Sequence, residues 1–224
     1  MKKIFFYGGN IAEAIIALIL YSVLQVFYFD VKSVHQKFHF TLQIQVFVTA
    51  LITVIVLYLL LWLYKRQLKE VNYWDFNEEP HWDKKRIGIA ILGFVILIIS
   101  QIIIFKIVGG TNTQPKNQQE LNELAKQSGK MFNLLVVFFG PFCEEIIFRG
   151  MFFNTFCTKK TKANKWIGII VSGFLFAYVH DSSFSKFIFV YWAMGCILGW
   201  VYLETKDLRY SMIAHMLNNA MSLI

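Results

Sequence analysis

Six side chains in the second half of this chain could do acid–base chemistry together: Glu144, Glu145, Arg149, His180, His215 and Asn219. All lie within or at the ends of apolar segments. An ionisable group there costs roughly 2.5–3.5 kcal/mol on insertion scales, which makes each a functional candidate by default. The run Gly140-Pro141-Phe142-Cys143-Glu144-Glu145-Ile146-Ile147-Phe148-Arg149 sets two carboxylates and a guanidinium near the middle of one such segment. Neighbouring helical residues point about 100° apart, so Glu144 and Glu145 are not expected to address one site squarely. Glu145 and Arg149 are four apart, in the favourable order for a charge pair on one helix face. Glu144 is left without a local counter-charge, as a buried carboxylate suited to general-base work. A structural ion pair beside one neutral glutamic acid fits the stretch equally well. Pro141 removes a backbone N–H and, in an α-helix, frees the carbonyl of Val137 four residues back, so a distorted helix is expected there.

His180 closes the segment Phe176-Ala177-Tyr178-Val179-His180, a position where histidine is more often interfacial than catalytic. His215 and Asn219 are four apart and share a helix face, which equally suits hydrogen bonding between helices.

The elements that must position these groups are membrane helices. Of the 224 residues, 57% are hydrophobic and 16% charged, against about 45–50% and about 25% in soluble domains. Residues 38–64 and 87–105 carry no Asp, Glu, Lys or Arg, and about 20 apolar residues suffice to cross a bilayer. A soluble enzyme, a disordered tail and a secreted disulfide scaffold are excluded. Apolar segments at 10–29, 40–63, 87–108, 131–156, 166–181, 186–203 and 209–224 predict an all-α, polytopic bundle of about seven spans, because isolated strands cannot satisfy their backbones in hydrocarbon. The active site falls among the last four. Residues 1–130 would hold three N-terminal spans and their loops, and 131–224 a catalytic core, with no internal repeat or further domain. Residues 64–86, rich in charge and aromatics, suit an interfacial segment; 109–129, opening with Gly109-Gly110, reads as a solvated loop. The start, Met1-Lys2-Lys3, is read as leading into an uncleaved first span rather than a signal peptide.

Fourteen Lys and Arg fall on the side that holds the N-terminus and six on the other, which predicts a cytoplasmic N-terminus. The net charge of +8 is accordingly assigned to loops and lipid headgroups, with the bilayer as partner and no nucleic acid. Cys143, Cys157 and Cys196 show no metal-binding spacing and read as small buried thiols. Counting about 1.5 Å per residue from the cytoplasmic ends puts Glu144 and His180 at roughly 20 and 22 Å, but His215 and Asn219 at roughly 9 and 15 Å. The second pair meets the first only if the 204–210 turn dips into the membrane.

Taken together, Glu144-Glu145-x-x-x-Arg149, Phe176-x-x-x-His180 and His215-x-x-x-Asn219 resemble the CPBP family, the CAAX-protease and bacteriocin-processing (Abi) intramembrane proteases. The resemblance covers about 140–220. It implies peptide-bond hydrolysis within a membrane, the plasma membrane in bacterial members, on a peptide or membrane-protein substrate. By this likeness Glu144 activates a water that His180 helps to hold, His215 and Asn219 stabilise the oxyanion, and Glu145 and Arg149 brace the site. Glu144, His180 and His215 could instead ligate Zn²⁺ with one open position. With no His-Glu-x-x-His in the chain, a metal-free glutamic mechanism is favoured and no cofactor is expected. Two other classes compete: a non-catalytic immunity or scaffold protein that binds a peptide or sensor protein, and a transporter, which the lack of repeat symmetry disfavours.

Overall fold

The computed structural model of the chain describes residues 2–29, 37–108 and 131–222, together with Val34, Gln119 and Glu123. Nearly all of the stretch 109–129, read above as a solvated loop, lies outside these residues. Among the described residues seven long helices follow in order: α1 (Lys2–Phe29), α2 (Leu42–Glu70), α3 (Lys84–Ile107), α4 (Met131–Phe156), α5 (Lys162–His180), α6 (Ile188–Thr205) and α7 (Leu208–Met221). No strand occurs among the described residues, so the chain is an all-α membrane bundle. Five helices, α1 to α4 and α6, are long and apolar enough to cross a bilayer. With 14 residues, α7 reaches only about 21 Å at 1.5 Å per residue, short of a hydrocarbon core about 30 Å thick.

Side chains that stop each connection are visible in the sequence. Thr41, Asp83, Thr161 and Asp207 precede α2, α3, α5 and α7, and each accepts a hydrogen bond from a backbone N–H in the first turn. Apolar residues such as Ile15, Ile19, Val54, Ile91 and Ile103 face outward, as lipid-facing helices require. One buried core runs through both halves of the chain, from Ala17 and Leu24 through Leu60 and Ile146 to Phe176, Leu198 and Met212.

α2 continues well past the apolar run, which ends at residue 63. Beyond it Arg66 pairs with Glu13 of α1, and Gln67 Nε2 donates to the same carboxylate at 2.9 Å. Polar contacts thus extend the helix where hydrophobicity stops marking it.

Contacts between helix ends define two faces. On the face that holds the start of α1, Trp74 Nε1 donates to the carbonyl of Cys157 at 2.6 Å, and Lys165 pairs with Glu204. On the other, Phe29 lies against Phe132, Phe105 against Phe187, and Lys186 Nζ donates to the carbonyl of Val108.

The segment 71–83 is less interfacial than its composition predicts. Trp74 and Phe76 are buried, and Phe76 stacks on Tyr202 with ring centroids 4.4 Å apart. Asn77, in the same segment, accepts from the N–H of Leu208, and Tyr210 donates to the carbonyl of His81. This segment therefore closes over the turn 206–210, whose Asp207 has no solvent exposure. The turn is thus enclosed by 71–83 and level with the start of α3, where Asp83 N–H donates to Tyr210 Oη at 3.1 Å.

α5 and α6 cross with glycine against glycine. A Cβ on Gly195 would stand 2.6 Å from the Cα of Gly173, so neither helix could carry a side chain there. Cys143 and Cys157 are buried and unpaired, as the sequence suggested.

Candidate active site

α4 is not a uniform helix. Two π-helical turns, Leu135–Phe139 and Ile146–Met151, flank the short α-helical stretch Gly140–Glu145. The N–H of Gly140 donates to Leu135 O, five residues back. In that register the bond Pro141 cannot make is to Val136, rather than to Val137 as an α-helix would have it. Asn219 Nδ2 donates to Val136 O at 2.9 Å and fills the gap. Asn219, expected to face an oxyanion, is thus at least partly committed to the backbone of α4.

The charge pair is as expected. Arg149 Nη1 lies 3.1 Å from Glu145 Oε1, and neither side chain reaches solvent. Arg149 also donates from Nη2 to the carbonyl of Gly195 at 3.2 Å, a contact the close α5–α6 crossing makes possible. Its guanidinium lies 4.6 Å from the ring centre of Phe176.

His215 brings the two adjacent carboxylates to one site. Its Nδ1 is 2.9 Å from Glu145 Oε1, and its Nε2 is 3.7 Å from Glu144 Oε2. Glu144 and Glu145 still diverge on their helix, but an imidazole has nitrogens on two edges and spans the divergence. His180 Nε2 lies 3.9 Å from the same Glu144 Oε2, while its Nδ1 bonds the carbonyl of Phe176 at 2.8 Å.

Partner chemistry fixes the protons. A carbonyl only accepts, so His180 carries hydrogen on Nδ1; ionised Glu145 only accepts, so His215 does too. In the neutral rings both Nε2 atoms are then bare. Three acceptor atoms, two Nε2 and Glu144 Oε2, converge at separations too wide for direct hydrogen bonds. Water can donate to two of them. A tetrahedral zinc shell, with ligands about 2.0–2.1 Å from the metal, needs donor atoms about 3.3–3.4 Å apart. The pairs here stand at 3.7 and 3.9 Å, and among the described residues no group of three or more His, Cys, Asp or Glu is arranged to hold a metal. The donor types suit zinc, but the spacing does not.

The site opens into a cavity of about 470 Å³ lined by Glu144, His180, His215 and Asn219. Its remaining wall mixes amides and aromatics, among them Gln25, Gln101, Asn218, Tyr21, Phe105 and Tyr191, with aliphatic side chains.

Residues 127–221 match the family described as type II CAAX prenyl endopeptidase Rce1-like. By that match the second half of this chain is similar to the CAAX-type proteases of the CPBP family. Similarity to curated proteins points the same way. The chain is 34% identical over 143 residues to the membrane-embedded CAAX protease MroQ of Staphylococcus aureus (strain USA300), covering 60% of this chain and 56% of that protein. It is 30% identical over 148 residues to the putative membrane peptidase YdiL of Bacillus subtilis (strain 168), covering 63% and 58%. The matched region thus spans little more than half the length of either relative. No solved structure matches.

Around this core stand residues the motifs do not include. Tyr21 Oη donates to Glu144 Oε1 at 2.7 Å, and Gln101 Nε2 donates to Asn218 Oδ1 at 3.0 Å. Gln25 and Gln101 carried a usable signal, as polar residues inside apolar spans. Tyr21 carried none, because tyrosine is common in such helices.

Proposed function

We propose that this chain is an intramembrane endopeptidase that hydrolyses a peptide bond in a membrane-associated peptide or protein. The convergence of Glu144 Oε2 and the two imidazole Nε2 atoms on one point beside an open cavity carries this reading. A water there is held by acceptors only, with its oxygen free toward the cavity. Glu144 takes one of its protons as the oxygen attacks the scissile carbonyl, and the C–O bond forms. The protonated Glu144 then passes that proton to the leaving amine as the C–N bond breaks. Taking up a further proton from solvent through the cavity, His215 Nε2 turns from acceptor to donor toward the oxyanion, with Glu145 placed to balance the imidazolium. Asn219 retains a second N–H for the same task. No cofactor enters this sequence of steps.

The bilayer surrounds the enzyme, and the lysine and arginine bias supports a cytoplasmic N-terminus. Most of the cavity lining comes from the halves of the helices that end on the opposite face, such as Gln25, Gln101, His180, Tyr191 and Asn219. In that orientation the cavity takes its substrate from the non-cytoplasmic side. Neutral amides such as Gln25 and Gln101 suit an extended peptide backbone.

The test is Glu144→Ala and, separately, His180→Ala, scored for cleavage of peptides that accumulate in cells lacking the protein. Loss of cleavage by both supports the proposal. If both keep the full cellular phenotype, the protein acts by binding, as an immunity or scaffold protein would. Activity abolished by a strong chelator and restored by Zn²⁺ would overturn the metal-free route.

A further inference from the structure

Glu144 has two carboxylate oxygens, and they face different neighbours. Oε2 looks toward His180 and His215, whereas Oε1 accepts a 2.7 Å hydrogen bond from the hydroxyl of Tyr21 on α1. Tyr21 is buried, yet it lines the same cavity. Its hydroxyl occupies space left by Gly140 on α4, where a Cβ would stand 3.1 Å from Tyr21 Oη. Four residues on, Gln25 joins the same cavity wall from the same helix face. Tyr21 also lies far outside 127–221, the segment that matches the family.

We propose that Tyr21 is the positioning residue of Glu144: by occupying Oε1 it fixes the carboxylate's rotation and leaves Oε2 as the oxygen that exchanges the proton. The kinetic consequence rests on the peptidase reading; the hydrogen bond does not. A carboxylate on a flexible stem otherwise rotates among several staggered and near-planar settings, and few of these aim one oxygen between two imidazoles. Misplacing a catalytic group by about 1 Å can cost on the order of a hundredfold in rate. The N-terminal half of the chain thereby completes the site instead of only packing against it.

Tyr28 provides the matched control. It sits two turns along the same helix, equally buried, with its hydroxyl bonded to Thr53 Oγ1 at 2.9 Å and absent from the cavity wall. The experiment compares Tyr21→Phe with Tyr28→Phe in the full chain, reconstituted in lipid nanodiscs. Infrared difference spectra against Glu144→Gln isolate the carboxyl band of Glu144. Tyr21→Phe shifts that band and Tyr28→Phe does not; a band unmoved by Tyr21→Phe overturns the proposal. On a quenched-fluorescent peptide library, Tyr21→Phe lowers kcat by about ten- to a hundredfold with KM within about twofold, while Tyr28→Phe changes neither. Equal losses in both variants, or unchanged kcat in Tyr21→Phe while Glu144→Gln is inactive, overturn the positioning role. Full turnover by Glu144→Gln sinks the general-base role of Glu144, and no cleavage by the unsubstituted chain sinks the peptidase reading; in either case the infrared result stands alone.

Discussion

His215 Nδ1 and Glu145 Oε1 stand 2.9 Å apart, and the other edge of the same ring faces Glu144. One imidazole therefore joins the carboxylate that is paired with Arg149 to the one that is not. The pair holds the ring, and the ring's free edge faces the cavity. Structure and chemistry are divided between two adjacent residues of α4.

That division separates two kinds of loss. Glu144→Gln is expected to lower turnover by about 10²–10⁴-fold, the usual worth of a general base, with a wild-type yield of folded protein. Arg149→Ala leaves Glu145 buried without its counter-charge, with only the His215 hydrogen bond remaining, which is expected to cost about 3–5 kcal/mol of stability. Size-exclusion profiles and thermal unfolding in one detergent, alongside turnover, distinguish the two.

The bond from Asn219 to Val136 predicts an unusual rescue. Asn219→Ala strands a carbonyl that Pro141 cannot serve, at a cost of about 1–3 kcal/mol. In Pro141→Ala the N–H at 141 is available again. The double variant Pro141→Ala/Asn219→Ala should therefore lose less stability than the sum of the single changes. Denaturation of all four proteins reads the coupling; strict additivity would show that Asn219 supports something else.

Two glycines of α6 should respond oppositely to alanine. At Gly195 the added carbon meets the backbone of Gly173, an overpacking worth about 1–3 kcal/mol or more. At Gly199 the nearest atom is 3.4 Å from the added Cβ, an ordinary contact, so Gly199→Ala should be neutral or gain up to about 1 kcal/mol from helix propensity. Unfolding temperatures in matched micelles give the comparison.

Lys206, in the turn between α6 and α7, sits in the left-handed region with φ 57° and lies 4.2 Å from the ring centre of Trp74. Burial pushes its ammonium down to about 8 from the usual 10.5. Between those values the unfolded chain holds a proton that the folded chain has released, so this residue makes stability rise with pH across that window. Its acetylation rate, followed by mass spectrometry, should be half-maximal near pH 8. A membrane-impermeant amine reagent applied from one side at a time would also report which face carries this turn.

The sequence made the helices and the site's residue types legible, because apolar runs and charges inside them are local signals. Relative height was harder. His215 meets Glu144 although a count from Arg209 sets it lower, and nothing local announces that 71–83 folds over the 206–210 turn; Trp74 and Phe76 read as interfacial until Tyr202 is placed against Phe76. The orientation of Asn219 was equally hidden. It follows from a π turn whose only local hint is Pro141, and that hint pointed to the wrong carbonyl by one residue. Tyr21 was invisible for a different reason: its partner lies 123 positions away.

The two π turns of α4 also bear on transplanting this chemistry. Each adds a residue to its turn, and an extra residue turns everything downstream by about 100°. The same letters from Gly140 to Arg149, set into a uniform helix of a designed bundle, would keep the spacing of Glu144, Glu145 and Arg149. They would aim the flanking surfaces at the wrong neighbours. A working graft has to carry both wide turns and the asparagine that serves the first of them, so α4 is portable only together with α7.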